Sequence, residues 1–314
     1  MTPVSNIAAE ETLRCQRVPP GERDQALAVL LSGTPNENKA TVEPFLNFAQ
    51  EHRLCLDELW QARHGKRLLA SALLVPNPGR TAMLFVSPQR RAQGEAVAAE
   101  LVRQACAAQD PEKVRIAQIV LDPGQRAEAR VVEAAGFTRL AELLYMERAP
   151  DAAIAPLELS DGLEAVVWSE AQRDLFTRAI LASYEGTQDC PSLVGLRQIE
   201  DVIAGHMAAG VFDPRLWFVV RQGNEPAAVM LLSRLPARRA FELVYLGVSR
   251  AWRGHGLARR LLRYGLSLAS REAIDSMILA VDHRNAPALR LYRALRFTST
   301  ARKLAYIHVI GDRA

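Results

Sequence analysis

Apolar and polar residues alternate along this chain with two different periods. Residues 241–247, Phe-Glu-Leu-Val-Tyr-Leu-Gly, are an almost continuous apolar run and read as a buried strand. Residues 257–266, Leu-Ala-Arg-Arg-Leu-Leu-Arg-Tyr-Gly-Leu, return apolar side chains at helical spacing. Residues 276–281, Ser-Met-Ile-Leu-Ala-Val, read as the next strand. Beyond them Ala288, Leu291, Tyr292 and Leu295 fall on one face of a further helix. Asn285 is suited to be its N-cap, and Pro287 is tolerated in its first turn. The predicted order is strand, loop, helix, strand, helix.

The first loop in that order, Val248-Ser249-Arg250-Ala251-Trp252-Arg253-Gly254-His255-Gly256, has the makings of an anion site. Gly254 and Gly256 let backbone approach a ligand closely. The helix that follows offers unpaired N–H groups and the positive end of its dipole, so a pyrophosphate suits it. A phosphate loop of the nucleotide-hydrolase type would end in Gly-Lys-Ser/Thr, but here Gly256-Leu257-Ala258 supplies neither the lysine nor the hydroxyl. A dinucleotide fingerprint would need a third glycine where Arg259 stands, although Asp282 does close the next strand. Coenzyme A is the third kind of pyrophosphate carrier.

Taken together, the two segments resemble the GNAT superfamily of acyl-CoA-dependent N-acyltransferases. Its cofactor loop reads Gln/Arg-x-x-Gly-x-Gly/Ala, and its later helix reads Asn-x-x-Ala-x-x-Leu-Tyr-x-x-x-Gly-Phe. The chain matches at Gly254, Gly256, Asn285, Ala288, Leu291, Tyr292 and Phe297. It departs at Ala251, in a loop that works through backbone amides, and at Arg296, where glycine is common. A non-glycine there costs on the order of 1 kcal/mol if the helix ends in left-handed geometry. The resemblance implies an α+β fold, a mixed and mostly antiparallel twisted sheet flanked by helices. It also implies acetyl-CoA as the donor, with Leu246, Val248, Arg253, Gly254, His255, Gly256, Leu257, Ala258 and Asn285 around it, and no metal.

The pattern occurs twice. Residues 86–96 superimpose on 248–258, and residues 122–137 on 282–297. Two tandem GNAT domains, 1–150 and 151–314, are therefore expected, joined by the proline-bounded stretch 150–156. The first half keeps a plausible cofactor loop, Gln89-Arg90-Arg91-Ala92-Gln93-Gly94. It has Val132 where the second half has Tyr292, and Gln125 where the second has Asn285. Glu95 would repel a pyrophosphate if it pointed inward. This resembles tandem acyltransferases of the mycothiol synthase type, in which the second domain is catalytic and the first degenerate. The likeness includes an acid six residues before the strand-end valine, here Glu242.

Attack of a neutral amine on a thioester needs a base, an oxyanion site and an acid for the departing thiolate. A thiol has a pKa near ~8.5 and a tyrosine near ~10, so tyrosine can assist the thiolate at neutral pH. Tyr292 is the candidate acid. Glu242 is the candidate base, since a carboxylate among apolar strand residues needs a reason; a strand-end ion pair with Arg238 or Arg239 is the bland alternative. Alternation puts Glu242, Val244, Leu246 and Val248 on one face unless a bulge intervenes. In the family this strand carries a bulge and splays, and a backbone N–H near Val248 would polarise the acyl carbonyl. The polar segment 183–191 would cover the acceptor, with Glu185 and Asp189 able to hold a cationic amine or merely to solvate a loop.

Composition narrows the partners. A chain of 314 residues suits two domains of about 150 residues each. A net charge of +4 is mild and fits an anionic cofactor. No basic run interleaved with aromatics suggests nucleic acid. Arg259-Arg260 and Arg238-Arg239 read as solvated surface. Four cysteines without metal spacing fit a reducing, cytoplasmic setting. Residues 1–11 lack the features of a signal peptide, and no apolar run is long enough for a membrane span. The histidines form no metal cluster; His206 reads as a structural helix residue and His255 as solvated. The expected function is transfer of an acetyl group from acetyl-CoA to a primary amine on a small molecule or a protein. The competing reading is a non-catalytic acyl-CoA sensor, which would need neither Tyr292 nor Glu242.

Overall fold

A computed structural model describes residues 12–34, 39–51, 54–150, 157–159 and 162–311. Residues 1–11, and 151–156 of the expected linker, lie outside the described residues.

The chain divides into two compact units. One takes in the described residues of Met1–Pro76, Arg80–Arg139 and Tyr306–Ala314, the other those of Asn77–Gly79 and Leu140–Ala305. The first half of the sequence runs β1 (Leu13–Arg17), α1 (Arg23–Ser32), α2 (Lys39–Glu51), β2 (Leu59–His64), β3 (Arg67–Asn77), β4 (Thr81–Val86), α3 (Ala92–Ala107), β5 (Ile116–Leu121), α4 (Arg126–Ala134) and β6 (Thr138–Arg148). The second repeats that order as β7 (Leu163–Val167), α5 (Arg173–Tyr184), α6 (Ile199–Met207), β8 (Trp217–Gln222), β9 (Glu225–Leu235), β10 (Ala240–Val248), α7 (Leu257–Arg271), β11 (Ser276–Asp282), α8 (Ala286–Ala294) and β12 (Thr298–Val309). The internal repeat seen in the sequence is thus a repeat of structure.

In the first unit the strands follow β1-β2-β3-β4-β5 and then the end of β12. Most neighbours are antiparallel, but β4 and β5 are parallel. Leu27, Leu30, Leu59 and Leu73 form a buried cluster beneath α1 and α2. The segment expected as a cofactor loop is different from its counterpart. Helix α3 begins at Ala92, so Gly94 lies inside it. Gln89 bonds Ser87 O at 3.0 Å and fills the space where a Cβ on Gly94 would sit. Glu95 pairs with Arg130 at 2.5 Å. Ala92 stands where the second half has Gly254, and alanine lets the helix start a turn early. The expected phosphate loop is here a helical turn.

In the second unit the order is β12-β6-β11-β10-β9-β8-β7, and β10 and β11 are the parallel pair. Helices cover both faces. On one face Leu261, Leu262 and Leu266 of α7 and Leu289 of α8 pack on Phe241, Met277 and Leu279. On the other, Phe176 and Ile180 of α5 and Ile203 of α6 pack on Trp217, Val229 and Leu231. Trp168 meets Phe176 and Trp217 edge-on at 4.9 and 5.1 Å, a geometry that aromatic rings favour. His206 lies on α6, half-buried, in a structural setting as expected. Its ring stacks on Tyr245 at 5.4 Å, and burial, helped by the charge of Arg197, lowers its pKa to about 4.

Two features of this unit position the site. Strand β10 carries a bulge: Leu243 pairs with Leu232 and Tyr245 with Leu231, so Val244 is the extra residue. The pairing of β10 with β11 runs only from Ala240 to Leu243. Beyond the bulge the two parallel strands have no register, and a gap opens between them. The simple alternation is corrected by the bulge. Leu246 and Val248 pack with Phe241 and Leu243 on the α7 face, while Val244 and Tyr245 pack with the α5 and α6 cluster.

Candidate active site

A cavity of about 510 Å³ occupies the gap. Its walls come from both faces of the sheet: Leu246, Val248, Leu291 and Tyr292 on one, Tyr245 and Ser183 on the other. The opening therefore passes through the sheet.

One end of the cavity is the N-terminus of α7. Gly254 and Gly256 have φ of +83° and +79°, a region that side chains rarely adopt, and an added Cβ at either would meet open space. The first bond of the helix runs from Arg260 N to Gly256 O. The N–H groups of Leu257, Ala258 and Arg259 therefore precede the helical ladder. No acid stands in this first turn, and Arg259, exposed as the sequence suggested, borders the cavity. The cradle fits a pyrophosphate in shape and sign.

The middle of the cavity is the splayed part of β10. Ser249 N bonds Ala227 O on β9. Successive strand residues aim their N–H groups to opposite sides, so those of Val248 and Leu246 face the gap. These are the donors an oxyanion and an amide-bearing arm would need.

Tyr292 closes the third wall. Helix α8 is capped by Asn285, whose side chain accepts from Ala288 N at 3.3 Å. Tyr292 is only 7% exposed and meets Phe297 edge-on at 5.8 Å. Burial, with a contribution from the charge of Asp189, pushes its pKa well above the ordinary tyrosine value, so it is a neutral donor. Arg296, after this helix, has φ +63°, so the left-handed cost is incurred here; Gly136 meets the same need in the first half with φ +92°.

The two candidate acceptor acids are separated. Asp189 lines the cavity, where its carboxylate accepts from Asp282 N at 3.0 Å. It is exposed by accessible area, as a residue of a half-open cavity can be. Burial and the nearby Asp282 raise its pKa, opposed by bonds from Asp282 N–H and the Asn285 side chain. Glu185 is exposed, is not among the cavity-lining residues, and pairs with Arg250 at 2.7 Å. His255 is likewise absent from the lining, and bonds Arg253 O at 3.0 Å. Arg253 reaches the cavity wall, but its guanidinium donates to Val248 O, Ser183 O and Glu185 O at 3.1, 3.0 and 2.6 Å. It fastens the loop after α5 to the end of β10.

Glu242 sits just before the bulge. Burial raises its pKa above the usual carboxylate value, with Arg238 acting in the opposite direction. Arg239 pairs instead with Asp275 at 2.8 Å. Tyr245 was not singled out from the sequence, because only the bulge brings it to this wall. Its hydroxyl donates to Ser183 Oγ at 2.6 Å, since Ser183 spends its own hydrogen on Ile180 O. All four cysteines are free thiols. Among the described residues no helix is long and apolar enough to cross a membrane.

Comparison with known proteins bears on the family. The family model described as "Acetyltransferase (GNAT) family" matches residues 167–297. A mycothiol acetyltransferase of Kineococcus radiotolerans is 32% identical over 255 residues, which are 78% of this chain and 79% of that one. A mycothiol acetyltransferase of Acidothermus cellulolyticus is 27% identical over 269 residues, 80% and 79% of the two chains. Among solved structures, a GCN5-related N-acetyltransferase from Sphaerobacter thermophilus shares the fold with a TM-score of 0.59 and 18% identity, over 95% of this chain and 96% of that one. A tandem GNAT protein from the clavulanic acid biosynthesis pathway does so at 0.54 and 16%, over 96% and 100%. A relative this similar over this length settles the family: the chain belongs to the GNAT acetyltransferases, as an acetyl-CoA-dependent N-acetyltransferase with two GNAT domains in tandem.

Proposed function

We propose that the second half of the chain, residues 151–314 completed by β6, acetylates a small polar primary amine, and that residues 1–150 otherwise form a non-catalytic partner domain. The observation that carries this reading is the cavity through the sheet, which links the α7 N-terminus to Tyr292 and to a polar wall on the opposite face. A passage between two strands, narrower than an open surface groove, suits a small acceptor better than a protein amine. Several relatives are named mycothiol acetyltransferases, which makes a mycothiol-type amine the first acceptor to test.

Acetyl-CoA supplies the thioester. The N–H groups of residues 257–259 and the side chain of Arg259 hold the pyrophosphate, and the N–H groups of Leu246 and Val248 bind the arm and the acyl oxygen. Glu242 takes the proton of the amine through ordered water. Tyr292 holds a proton on its hydroxyl for the sulfur of the departing thiolate. The amine nitrogen forms the new bond to the acetyl carbon, the carbon–sulfur bond breaks, and Tyr292 regains its proton from water. The test is thiol release from acetyl-CoA with a panel of amines. Binding of acetyl-CoA without turnover on any of them would favour the sensor reading.

Gly256→Glu is expected to weaken coenzyme A at least about tenfold, or 1.4 kcal/mol. The carboxylate would meet the pyrophosphate, and a side chain at φ +79° is strained. Isothermal titration beside a melting curve checks this. Unchanged affinity in a folded variant would remove the pyrophosphate assignment.

A further inference from the structure

Beyond β11, whose Ala280 and Val281 line the cavity, the next strand of the sheet is β6. Strand β6 lies antiparallel to β11, with Tyr145 opposite Ala280 and Glu147 opposite Ile278. Opposed residues of neighbouring strands show their side chains on the same face. Ala280 lines the cavity and is exposed within it. Glu242 is opposite Ile278 on the other side of β11, which puts it on that face as well. The reverse face of these strands is apolar and filled, with Leu144, Met146, Met277, Leu279 and Val281 under α7 and α8. Glu242 and Tyr145 therefore share the face away from α7 but sit diagonally across β11, Glu242 in line with Ile278 and Glu147, and Tyr145 in the next row with Ala280.

Tyr145 is half-buried in that row, a large amphipathic side chain on a face that α5 and α6 leave open beyond β10. Its phenol is kept protonated: burial raises its pKa first and the charge of Glu242 adds to this, with Lys303 opposing. A protonated phenol beside the base can donate to, or accept from, a hydroxyl or amide of the acceptor. It has no role in either proton transfer described above.

We propose that Tyr145 is an acceptor-positioning residue, its ring forming the floor and its hydroxyl holding a polar group of the amine substrate next to Glu242. This rests on the reading of the cavity as an amine acetylation site. It makes a strand from the first half of the sequence part of the acceptor site, since the unit that contains the cavity begins its main segment at Leu140.

The test uses the full chain with two amine probes, glucosamine for its hydroxyls and phenethylamine for their absence. In Tyr145→Phe the KM for glucosamine is expected to rise about tenfold. The KM for phenethylamine and the affinity for coenzyme A should move less than about twofold, and the melting temperature should hold. Tyr145→Ala should raise both amine KM values, because the floor itself is lost. If the unaltered protein acetylates glucosamine and Tyr145→Phe does so with the same KM, the role of Tyr145 is overturned while the acetyltransferase site stands. If the unaltered protein acetylates neither probe, the small-amine reading falls and the proposal falls with it. An equal rise for both probes in Tyr145→Phe would assign the residue to packing and overturn its polar role.

Discussion

Replacing Tyr292 by phenylalanine is expected to lower kcat about 10²-fold, with the affinity for acetyl-CoA held within about twofold. That loss is the low end for removing a general acid. The ring stays in place against Phe297, so the α8 face loses only its hydroxyl. The hydroxyl is held neutral by burial and by the charge of Asp189, so it cannot serve as a base at any working pH. Val132, buried at the corresponding place in the first half, has the packing role and no proton. Pre-steady-state thiol release, compared with titration of coenzyme A, separates chemistry from binding. Full turnover in the variant would mean that water or another hydroxyl protonates the thiolate.

Glu242→Gln is expected to reduce kcat/KM at neutral pH by a similar factor of about 10², and also to change the shape of the pH profile. In the unaltered protein the base is ionised only above its pKa, which burial has raised. Activity should therefore fall as pH drops through a value above the ordinary carboxylate range, and the glutamine variant should lack that limb. Stability has the opposite sign. A carboxyl whose folded pKa is raised contributes stability below its unfolded pKa, and that contribution is lost as pH rises through the folded value. At neutral pH the ionised Glu242 thus weakens the fold. Glu242→Gln should melt at a higher temperature than the unaltered protein at pH 7, with the difference shrinking toward pH 4. A variant that is less stable and keeps the acid limb would show Glu242 to be a structural ion-pair partner.

Much of the site was legible as local chemistry. Gly254 and Gly256 announce a left-handed turn because two glycines so close together serve no helix. Asn285 announces a cap because its side chain can satisfy an N–H of the next turn. Tyr292 follows from the family motif and the face of α8 that it occupies. What stayed hidden depends on registers between strands. The bulge at Val244 exists only by comparison with β9, where two residues face one, and it alone turns Tyr245 to the wall and Leu246 to the other face. Tyr145 is distant in sequence and comes beside the cavity-lining Ala280 only through the pairing of β6 with β11. Gly94 misled for a related reason. It matches Gly256 in letter, but Ala92 in place of a second glycine lets α3 absorb it.

The passage between β10 and β11 bears on inhibition. A compound confined to one face would compete with one substrate alone and could be displaced as that substrate accumulates. A molecule threaded through the gap would touch the α7 cradle at one end and the wall of Tyr245 and Ser183 at the other. Once its first end is bound, its second would meet its site at an effective concentration set by the tether, in the mM range for short flexible linkers. The sheet itself would then act as a collar, fixing the length and thickness of any such tether at the few residues on either side of Val244.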